Sequence, residues 1–414
     1  MTIRLKRQLY CIFYLAITLT VISCKKDSPV LTEEPISPTT GTRTEFTLDS
    51  IYLYAKQVYL WNDVLPPYAG FNPRKYATIN PEITAFKTEL FNFSQLKINS
   101  ATGSPYEFSS GSTSSKYSYI QSGNTSGVSA ATGTASDQAI LKTAVISSGN
   151  QQIAYIALGS FPRLSLCKTA LDDAFTILAA AHPGILVIDL RSNGGGYVET
   201  AEYVANLVAG TSLNGKVIYS EHYNTQLQTG KATILKNQPY YDNEGKTVIY
   251  NGRTATMADV NFTEAGNTHY FSKKGTLETI TTIYFIVSEH TASASELLIS
   301  SLKPYFKVKL AGSTTYGKPV GFFAINIDKY TVYLASFLIK NASGWSDYFT
   351  GIPADIAAAN PADPILGDPE EDCLKAVLTD INGTSTKSSS VQVSSSRLLT
   401  LPEERMIENR LKLK

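Results

Sequence analysis

Three short loops hold the residues best suited to chemistry in this sequence, and each follows a predicted strand. The first is a glycine turn, 192–196 (Ser-Asn-Gly-Gly-Gly), after the apolar run 185–190. Consecutive glycines allow positive φ and close approach of the main chain, so the N–H groups of such a turn can point at an anion. Taken alone, the turn fits an oxyanion site, a phosphate site, or a tight connection that binds nothing.

The second loop places Ser293 at the start of a predicted helix. Ser293 and Glu296 have the spacing of a capping box, in which the serine caps the helix and the glutamate bonds back to it. A serine at a helix N-terminus can also act as a nucleophile, because the unpaired N–H groups there stabilise an alkoxide and the oxyanion that forms when it attacks a carbonyl. The motif by itself favours the cap.

The third loop carries Lys318 between Gly317 and Pro319. A lysine in such a turn is ordinarily a solvated charge. If Lys318 is instead buried beside Ser293, the loss of hydration favours its neutral amine, which can then serve as a general base. The outcome therefore depends on whether the fold buries this side chain.

Together these loops resemble the C-terminal processing peptidases, also called tail-specific proteases, a family of serine endopeptidases with a Ser/Lys dyad. The interval from Ser293 to Lys318 is 318 − 293 = 25 residues, which is also characteristic of the family. The resemblance extends over about 153 to 368. The matching segments are 189–196 (DLRSNGGG), 292–296 (ASASE), 317–318 (GK) and 351–355 (GIPAD).

The resemblance implies a role for each matching residue. Ser293 would be the nucleophile, Lys318 the base, and the N–H groups of Gly195 and Ala294 the oxyanion hole. The substrate would be a polypeptide, hydrolysed through an acyl-enzyme, and no cofactor or metal ion is implied.

The sequence departs from the family pattern in two ways. Many members carry a glutamine four residues after the lysine to orient it, and here that position is Phe322. Orientation would then come from elsewhere, with Glu296 as a candidate for support. Relatives also usually insert a peptide-binding PDZ domain, for which the stretch from Tyr119 to Ile153 is too short, because independent domains rarely fall below about 50 residues. Both departures leave open a catalytically weak or inactive relative that binds peptides or surface glycans.

Two other site chemistries also remain open. Gly194 to Gly196 could hold the phosphate of a nucleotide or sugar phosphate, although the near-neutral charge and the absence of a P-loop lysine count against it. A Ser-His arrangement would draw on His290, three residues before Ser293. No motif surrounds His290, which favours a solvated or capping role.

The elements that must position these loops predict an α/β fold. Strands and helices alternate from Ile153, as expected of βαβ units in a mixed, largely parallel sheet, and the resemblance implies the crotonase-like core of the tail-specific proteases. The run 185–190 is apolar throughout, which is typical of a parallel strand covered on both faces. Further elements are predicted as helices at 165–181, 199–208 and 293–303 and as strands at 153–158, 283–287, 308–311, 322–327 and 331–338.

Composition shifts predict the domain organisation. Polar, Ser/Pro/Thr-rich stretches have too few apolar residues to form a core, so they indicate linkers and tails. The predicted parts are a lipoprotein signal peptide (1–23), a flexible tether (24–46), a helical N-terminal domain (47–100), a Ser/Gly-rich linker (101–152), a catalytic domain (153–368) with an insertion at the sheet edge (210–278), and a polar C-terminal tail (369–414).

The N-terminus predicts export. A basic start is followed by an apolar stretch, 9–22, that is shorter than the roughly 20 residues of a spanning helix. The ending Val-Ile-Ser-Cys resembles the lipobox of bacterial lipoproteins, in which Cys24 is lipid-modified and becomes the first mature residue. This predicts a lipid-anchored outer-membrane lipoprotein of a bacterial cell envelope, held at the membrane by lipid on Cys24. Ordinary secretory cleavage is the alternative.

The composition limits the remaining possibilities. Of 414 residues 43% are hydrophobic, enough for a buried core. Lys+Arg of 36 against Asp+Glu of 35 leaves a net charge of +1, so nucleic acid is not expected as a partner. Of four cysteines, Cys167 and Cys373 fall in the folded part and are expected to be buried thiols. The sequence predicts no oligomeric state.

Overall fold

A computed structural model describes residues 37–109, 111–124, 139–149, 151–242, 245–383, 406–407 and 410–414. The predicted signal peptide, Cys24 and most of the predicted tether lie outside the described residues. Residues from Pro38 to Lys414 pack as one unit. Among the helices that the structure describes, none combines the length and the apolar character that crossing a membrane requires.

Helices and strands alternate through most of the described chain. The helices are α1 (Arg43–Val58), α2 (Tyr68–Phe71), α3 (Glu82–Ser94), α4 (Leu164–Ala179), α5 (Val198–Val208), α6 (Thr225–Gln228), α7 (Ala294–Leu302) and α8 (Asp372–Ile381). The strands are β1 (Tyr119–Ser122), β2 (Ile140–Ser148), β3 (Gln151–Leu158), β4 (Ile185–Asp189), β5 (Gly196–Tyr197), β6 (Val217–Tyr223), β7 (Ile249–Tyr250), β8 (Arg253–Thr254), β9 (Thr268–Tyr270), β10 (Thr282–Val287), β11 (Lys307–Gly312), β12 (Val320–Gly321), β13 (Ala324–Ile327), β14 (Tyr330–Tyr333), β15 (Phe337–Asn341), β16 (Ile356–Ala357) and β17 (Met406–Ile407).

The main sheet has six strands in the order β16-β11-β10-β4-β3-β2. Every neighbouring pair is parallel except β2 and β3, which are antiparallel. Strands β4 and β10 are almost completely buried, as their continuous apolar runs predict for strands covered on both faces. The predicted α/β fold with a largely parallel sheet is confirmed.

This topology brings the three loops together. The glycine turn follows β4, the Ser293 loop follows β10, and the Lys318 loop follows β11. These three strands are adjacent and parallel, so their carboxyl ends meet at one edge of the sheet. In open α/β sheets that edge is where ligands bind.

The predicted insertion 210–278 does not extend the edge of the main sheet. Its strands β6 and β9 join a separate four-stranded sheet with the order β12-β15-β6-β9. Strand β6 takes its register from β15, with Tyr223 opposite Phe337 and Tyr219 opposite Asn341. The prediction of an edge position was wrong because this pairing joins segments far apart in sequence, which no local pattern reveals.

Three helices, α1 to α3, occupy the stretch where a helical N-terminal domain was predicted. Helix α1 begins at Arg43, inside the predicted tether, because Thr42 and Glu45 form a capping box at its N-terminus. Its buried face includes Tyr52, whose ring stacks on Phe71 at 4.3 Å between centroids. The tether prediction was therefore too long by a few residues.

The predicted linker 101–152 contains ordered structure in its described residues. Strand β1 pairs with β14, and β2 joins the main sheet beside β3. Glu107 is fully buried, and its carboxylate accepts hydrogen bonds from the main-chain N–H groups of Tyr117 and Ser118. The polar composition was misleading here because a few apolar side chains, such as Tyr117 and Ile120, reach the core, and hydrogen bonds to a buried carboxylate also hold the segment.

The predicted polar tail is likewise partly folded. Helix α8 packs Cys373, Leu374 and Val377 into a second hydrophobic cluster on the main sheet. Ahead of it, Glu371 forms a buried ion pair with Arg191, which also bonds Asp189 at the end of β4. An amphipathic helix hidden in a polar stretch explains the wrong prediction.

Glu371→Gln is expected to lower the free energy of unfolding by about 3 kcal/mol at neutral pH, because it removes the charge of one partner of a buried ion pair. Burial alone would raise the pKa of Glu371, but the hydrogen bonds and charge of Arg191 outweigh it and hold the pKa below the usual 4.5. This stabilisation is present above pH 4.5 and is lost as the pH falls further. Urea unfolding of both proteins at several pH values measures it.

The matched control is Glu370→Gln, because Glu370 pairs with Lys375 on the surface with a 75% exposed side chain. We expect this change to alter stability by less than about 0.5 kcal/mol. Equal effects of the two substitutions would contradict a buried role for Glu371.

Candidate active site

Ser293 lies between β10 and α7 in a strained backbone conformation, with φ 62° and ψ −118°. A positive φ is unfavourable for a non-glycine residue and costs on the order of 1–3 kcal/mol, so it persists where the surrounding structure enforces it. Ser293 is fully buried, and its Oγ has no hydrogen-bond partner among the described residues. The Ser293 hydroxyl therefore has unused hydrogen-bonding capacity inside the site, and a ligand reaches it only if the surrounding loops open.

The glycine turn lies directly against Ser293. A Cβ atom on Gly195 would lie 2.7 Å from the Cβ of Ser293 and 3.0 Å from the main-chain nitrogen of Ala294. The φ of Gly195 is +108°, a conformation that residues with side chains rarely adopt. Close contact with the serine loop therefore explains why glycine is needed here.

The N–H of Gly195 already has an acceptor. It donates to Oδ1 of Asn193 at 2.9 Å, whereas Nδ2 of the same side chain is buried without a partner among the described residues. An oxyanion bound by Gly195 would have to replace Asn193 Oδ1 as the acceptor. Ala294 is the first residue of α7, where N–H groups lack intrahelical acceptors.

Lys318 is buried, with only 3% of its surface exposed. Its Nζ lies 4.8 Å from the centroid of the Phe322 ring, which is itself fully buried. The structure thus gives Lys318 the buried environment that the sequence left undecided.

The carboxylate of Glu296 connects the serine loop to the lysine loop. Its Oε2 accepts the main-chain N–H groups of Ser293 at 3.0 Å and Lys318 at 2.7 Å. Its Oε1 accepts Thr315 Oγ1 at 2.5 Å and the N–H of Gly317 at 2.7 Å. Burial raises the pKa of Glu296, and these four hydrogen bonds oppose the shift. One side chain therefore fixes both loops relative to each other.

The fourth motif segment packs against the lysine loop. The N–H of Ile352 donates to Thr315 Oγ1 at 2.7 Å, and a Cβ on Gly351 would lie 2.1 Å from the carbonyl oxygen of Thr315. Tyr117 OH also donates to the carbonyl oxygen of Gly317 at 2.7 Å. Glu296, Tyr117 and Ile352 thus come from three different parts of the chain, and all three bond to the loop that carries Lys318.

Replacing Phe322 with glutamine, as the family resemblance suggests, is expected to cost about 3–5 kcal/mol of folding free energy. Phe322 is fully buried, and its ring packs edge-on against Tyr119 at 5.7 Å and Tyr333 at 6.2 Å between centroids. An amide would lose these contacts and bury polar atoms. Thermal unfolding of F322Q measures the effect.

Phe322→Leu is the matched comparison, because it keeps the site apolar and is expected to cost about 1.5 kcal/mol. If F322Q were as stable as the unmodified chain, the ring packing described for Phe322 would be wrong.

A cavity of about 300 Å³ opens beside Lys318. Helix α3, the segment around β1 and the lysine loop form its walls, which are partly aromatic and partly basic. Its lining residues are Lys87, Leu90, Ser114, Ser115, Lys116, Tyr117, Ser118, Tyr119, Ile120, Tyr316 and Lys318. The predicted linker thus contributes most of this wall.

The structure does not pair His290 with Ser293. The imidazole of His290 is partly exposed and lies 3.8 Å from the carboxylate of Glu289, while Ser293 Oγ has no hydrogen-bond partner among the described residues. The Ser-His alternative therefore has no geometric support.

Sequence reasoning missed several residues of this site. Thr315, whose hydroxyl donates to the Glu296 carboxylate, stands three residues before Lys318. Its position in the same loop as Lys318 was the one local signal in the sequence for this contact. Tyr117 and Lys116 had no such signal, although Lys116 Nζ donates to the carbonyl oxygens of Tyr316 and Phe349. Both lie about 200 positions from the loop that they contact.

A comparison of the sequence with models of protein families identifies the peptidase class to which this fold belongs. The model of peptidase family S41 matches residues 152–358, half of the chain. The chain therefore belongs to peptidase family S41, and the resemblance to C-terminal processing peptidases is confirmed. Among the curated proteins compared with it, none matches.

Several solved structures are similar to the chain. One, assigned as an S41 protease from Bacteroides fragilis, has 19% identity and a TM-score of 0.45, over 60% of this chain and 59% of that one. The photosystem II D1 C-terminal processing protease has 13% identity and a TM-score of 0.43, over 77% and 93%. A protein assigned as a peptidase from Parabacteroides merdae has 14% identity and a TM-score of 0.44, over 85% and 100%. The chain spans about three fifths of the first structure's length.

Proposed function

We propose that this chain is a serine endopeptidase that uses Ser293 as nucleophile and Lys318 as general base. One observation carries the proposal: both residues are buried at the same edge of the sheet, in loops that the Glu296 carboxylate connects. A buried serine hydroxyl without a partner among the described residues, next to a loop that holds a buried lysine, supports nucleophilic catalysis once the two side chains come within hydrogen-bond reach of each other.

The reaction follows from these groups. The Ser293 oxygen bonds to the peptide carbonyl carbon as its proton moves to the neutral amine of Lys318. The C–N bond then breaks, and Lys318 returns the proton to the leaving amine, which leaves an ester on Ser293. Water, deprotonated by Lys318, hydrolyses the ester and restores the serine.

The oxyanion of each tetrahedral intermediate would bind the Ala294 N–H at the start of α7. Gly195 would supply the second N–H after its bond to Asn193 Oδ1 has exchanged for the substrate oxygen. Removal of one such donor in a serine protease typically costs about 10²–10³-fold in kcat.

Covalent labelling tests the nucleophile directly. A fluorophosphonate that reacts with activated serines should modify the chain at Ser293, located by mass spectrometry of its peptides. Prior replacement of Lys318 by methionine should slow labelling at least about tenfold, because the serine would lose its base. Labelling at another serine, or equal labelling in both proteins, would refute the assignment.

We further propose that the chain acts on exported or envelope polypeptides while anchored by lipid on Cys24. The basic start, the apolar stretch and the Val-Ile-Ser-Cys ending of the sequence support this. In a bacterial host fed a labelled fatty acid, the unmodified chain should carry the label and sediment with membranes. Cys24→Ala should abolish both, and a labelled Cys24→Ala protein would overturn the proposal.

A further inference from the structure

A short strand from a distant part of the sequence lies beside the glycine turn. Strand β17 pairs in parallel with β5, with Met406 opposite Gly196. It also approaches β12 to within 8 Å between Cα atoms. Because β5 continues from Gly195 and β12 begins two residues after Lys318, β17 lies close to both strands that leave the proposed catalytic loops.

One edge of β5 is already paired. The N–H of Phe161 donates to the carbonyl oxygen of Gly195 at 2.9 Å, and the N–H of Tyr197 donates to the carbonyl oxygen of Phe161 at 2.8 Å. Main-chain groups alternate between the two edges of a strand, so the N–H and C=O of Gly196 face the other edge. That second edge is the one that β17 occupies. Strand edges of this kind bind extended polypeptides through main-chain hydrogen bonds.

Residues 410–414 attach the same end of the sequence to the rest of the fold. The N–H of Asn261 donates to the carbonyl oxygen of Lys412 at 2.7 Å. The N–H of Lys414 donates to the carbonyl oxygen of Asp259 at 3.0 Å. Arg410 donates to the carboxylate of Glu202 at 3.0 Å. Burial alone would raise the pKa of Glu202, but His269 and Arg410 hold it at about 2, so the carboxylate is charged at neutral pH.

We propose that the second edge of β5 binds the substrate polypeptide as a parallel strand, and that residues 406–407 of the same chain occupy this edge as a competitor. The inference rests on the proposed function for the identity of the substrate. Segment and substrate exclude each other because both need the N–H and C=O of Gly196. A tethered segment acts at an effective concentration on the order of millimolar, enough to compete with a weakly bound polypeptide.

The test is a binding measurement on the full chain carrying Ser293→Ala, which prevents cleavage of the probe. The probe is a fluorescein-labelled peptide with the sequence of residues 400–414, followed by fluorescence anisotropy. Ile407→Pro removes a main-chain N–H from β17 and should release the segment, so that the probe binds at least about tenfold more tightly. Ile407→Ala is the matched control, because it keeps the N–H and should leave the affinity unchanged.

A second pair of variants covers the case in which Ile407→Pro fails to fold. Arg410→Ala loosens the attachment at Glu202 and should tighten probe binding several-fold. Lys412→Ala changes an exposed side chain beside it and should not. Equal probe affinity in all folded variants would overturn the proposal. Because the measurement involves no catalysis, tighter binding together with absent labelling of Ser293 would instead refute the proposed function alone.

Discussion

Ser293→Ala and Lys318→Met are each expected to reduce cleavage of an unfolded polypeptide by at least about a thousandfold, the scale seen when a nucleophile or its base is removed from a serine protease. Alanine removes the attacking oxygen, and methionine keeps an apolar stem but removes the proton acceptor. The double variant should be no slower than either single variant by more than about threefold, because the two residues act in one step. Fragment release measured by mass spectrometry gives the rates.

Stability measurements separate this loss from misfolding. Ser293 Oγ has no hydrogen-bond partner among the described residues, so its removal should change the free energy of unfolding by less than about 0.5 kcal/mol. Ser295→Ala is the matched control, since the Ser295 hydroxyl donates to the carbonyl oxygen of Asn193 and has no proposed part in the chemistry. Cleavage that persists in Ser293→Ala would disprove the mechanism. An unmodified chain that cleaves no substrate would favour a binding protein on the same fold.

Glu296→Gln is expected to lower both the stability of the chain and its kcat. An amide has a single acceptor oxygen, so two of the four donors that now bond the carboxylate would face an NH2 group. Buried donors left without acceptors cost about 1–3 kcal/mol each, so we expect a loss of roughly 2–5 kcal/mol in the free energy of unfolding. The loops of Ser293 and Lys318 would also lose their common support, and we expect kcat to fall at least about a hundredfold, because small misplacements of reacting groups have large effects on rate.

Kinetics can distinguish this positioning role from a purely structural one. At a temperature where the variant is fully folded, we expect kcat to fall much more than KM rises, because Glu296 bonds the loops rather than the substrate. Glu289→Gln is the matched control, since the Glu289 side chain is half-exposed and lies on the loop between β10 and α7 that also carries Ser293. A fully folded Glu296→Gln protein with normal kcat would show that the connection between the loops is not needed for catalysis.

The sequence by itself determined the features that depend on neighbouring residues. The apolar run of β4 and the capping residues before α7 are local signals, and both elements lie within one or two residues of their predicted bounds. That each of the three loops follows a predicted strand also came from sequence order, whereas the adjacency of β4, β10 and β11 came from the sheet topology. Family membership could be inferred as well, since its motifs are short and contiguous.

Local patterns were insufficient where long-range contacts determine the structure. The segment before β1 was predicted to be a linker, yet Tyr117 bonds the loop that carries Lys318. Residues 371–381 were predicted to be tail, yet Glu371 pairs with Arg191 beneath the glycine turn. Both segments are polar in composition, and their hydrogen bonds, ion pairs and few buried apolar side chains all contact parts of the chain distant in sequence, which local periodicity does not report.

Only the tertiary structure decided the environment of the proposed catalytic groups. The sequence favoured a solvated Lys318 turn, and its burial depends on Phe322 and on chain segments distant in sequence. Glu296 was predicted to cap its helix and does accept the Ser293 N–H, and the fold additionally makes its carboxylate a connection to the lysine loop. Secondary structure follows from propensity and periodicity along the chain, whereas desolvation and hydrogen-bond partners depend on which segments meet in space.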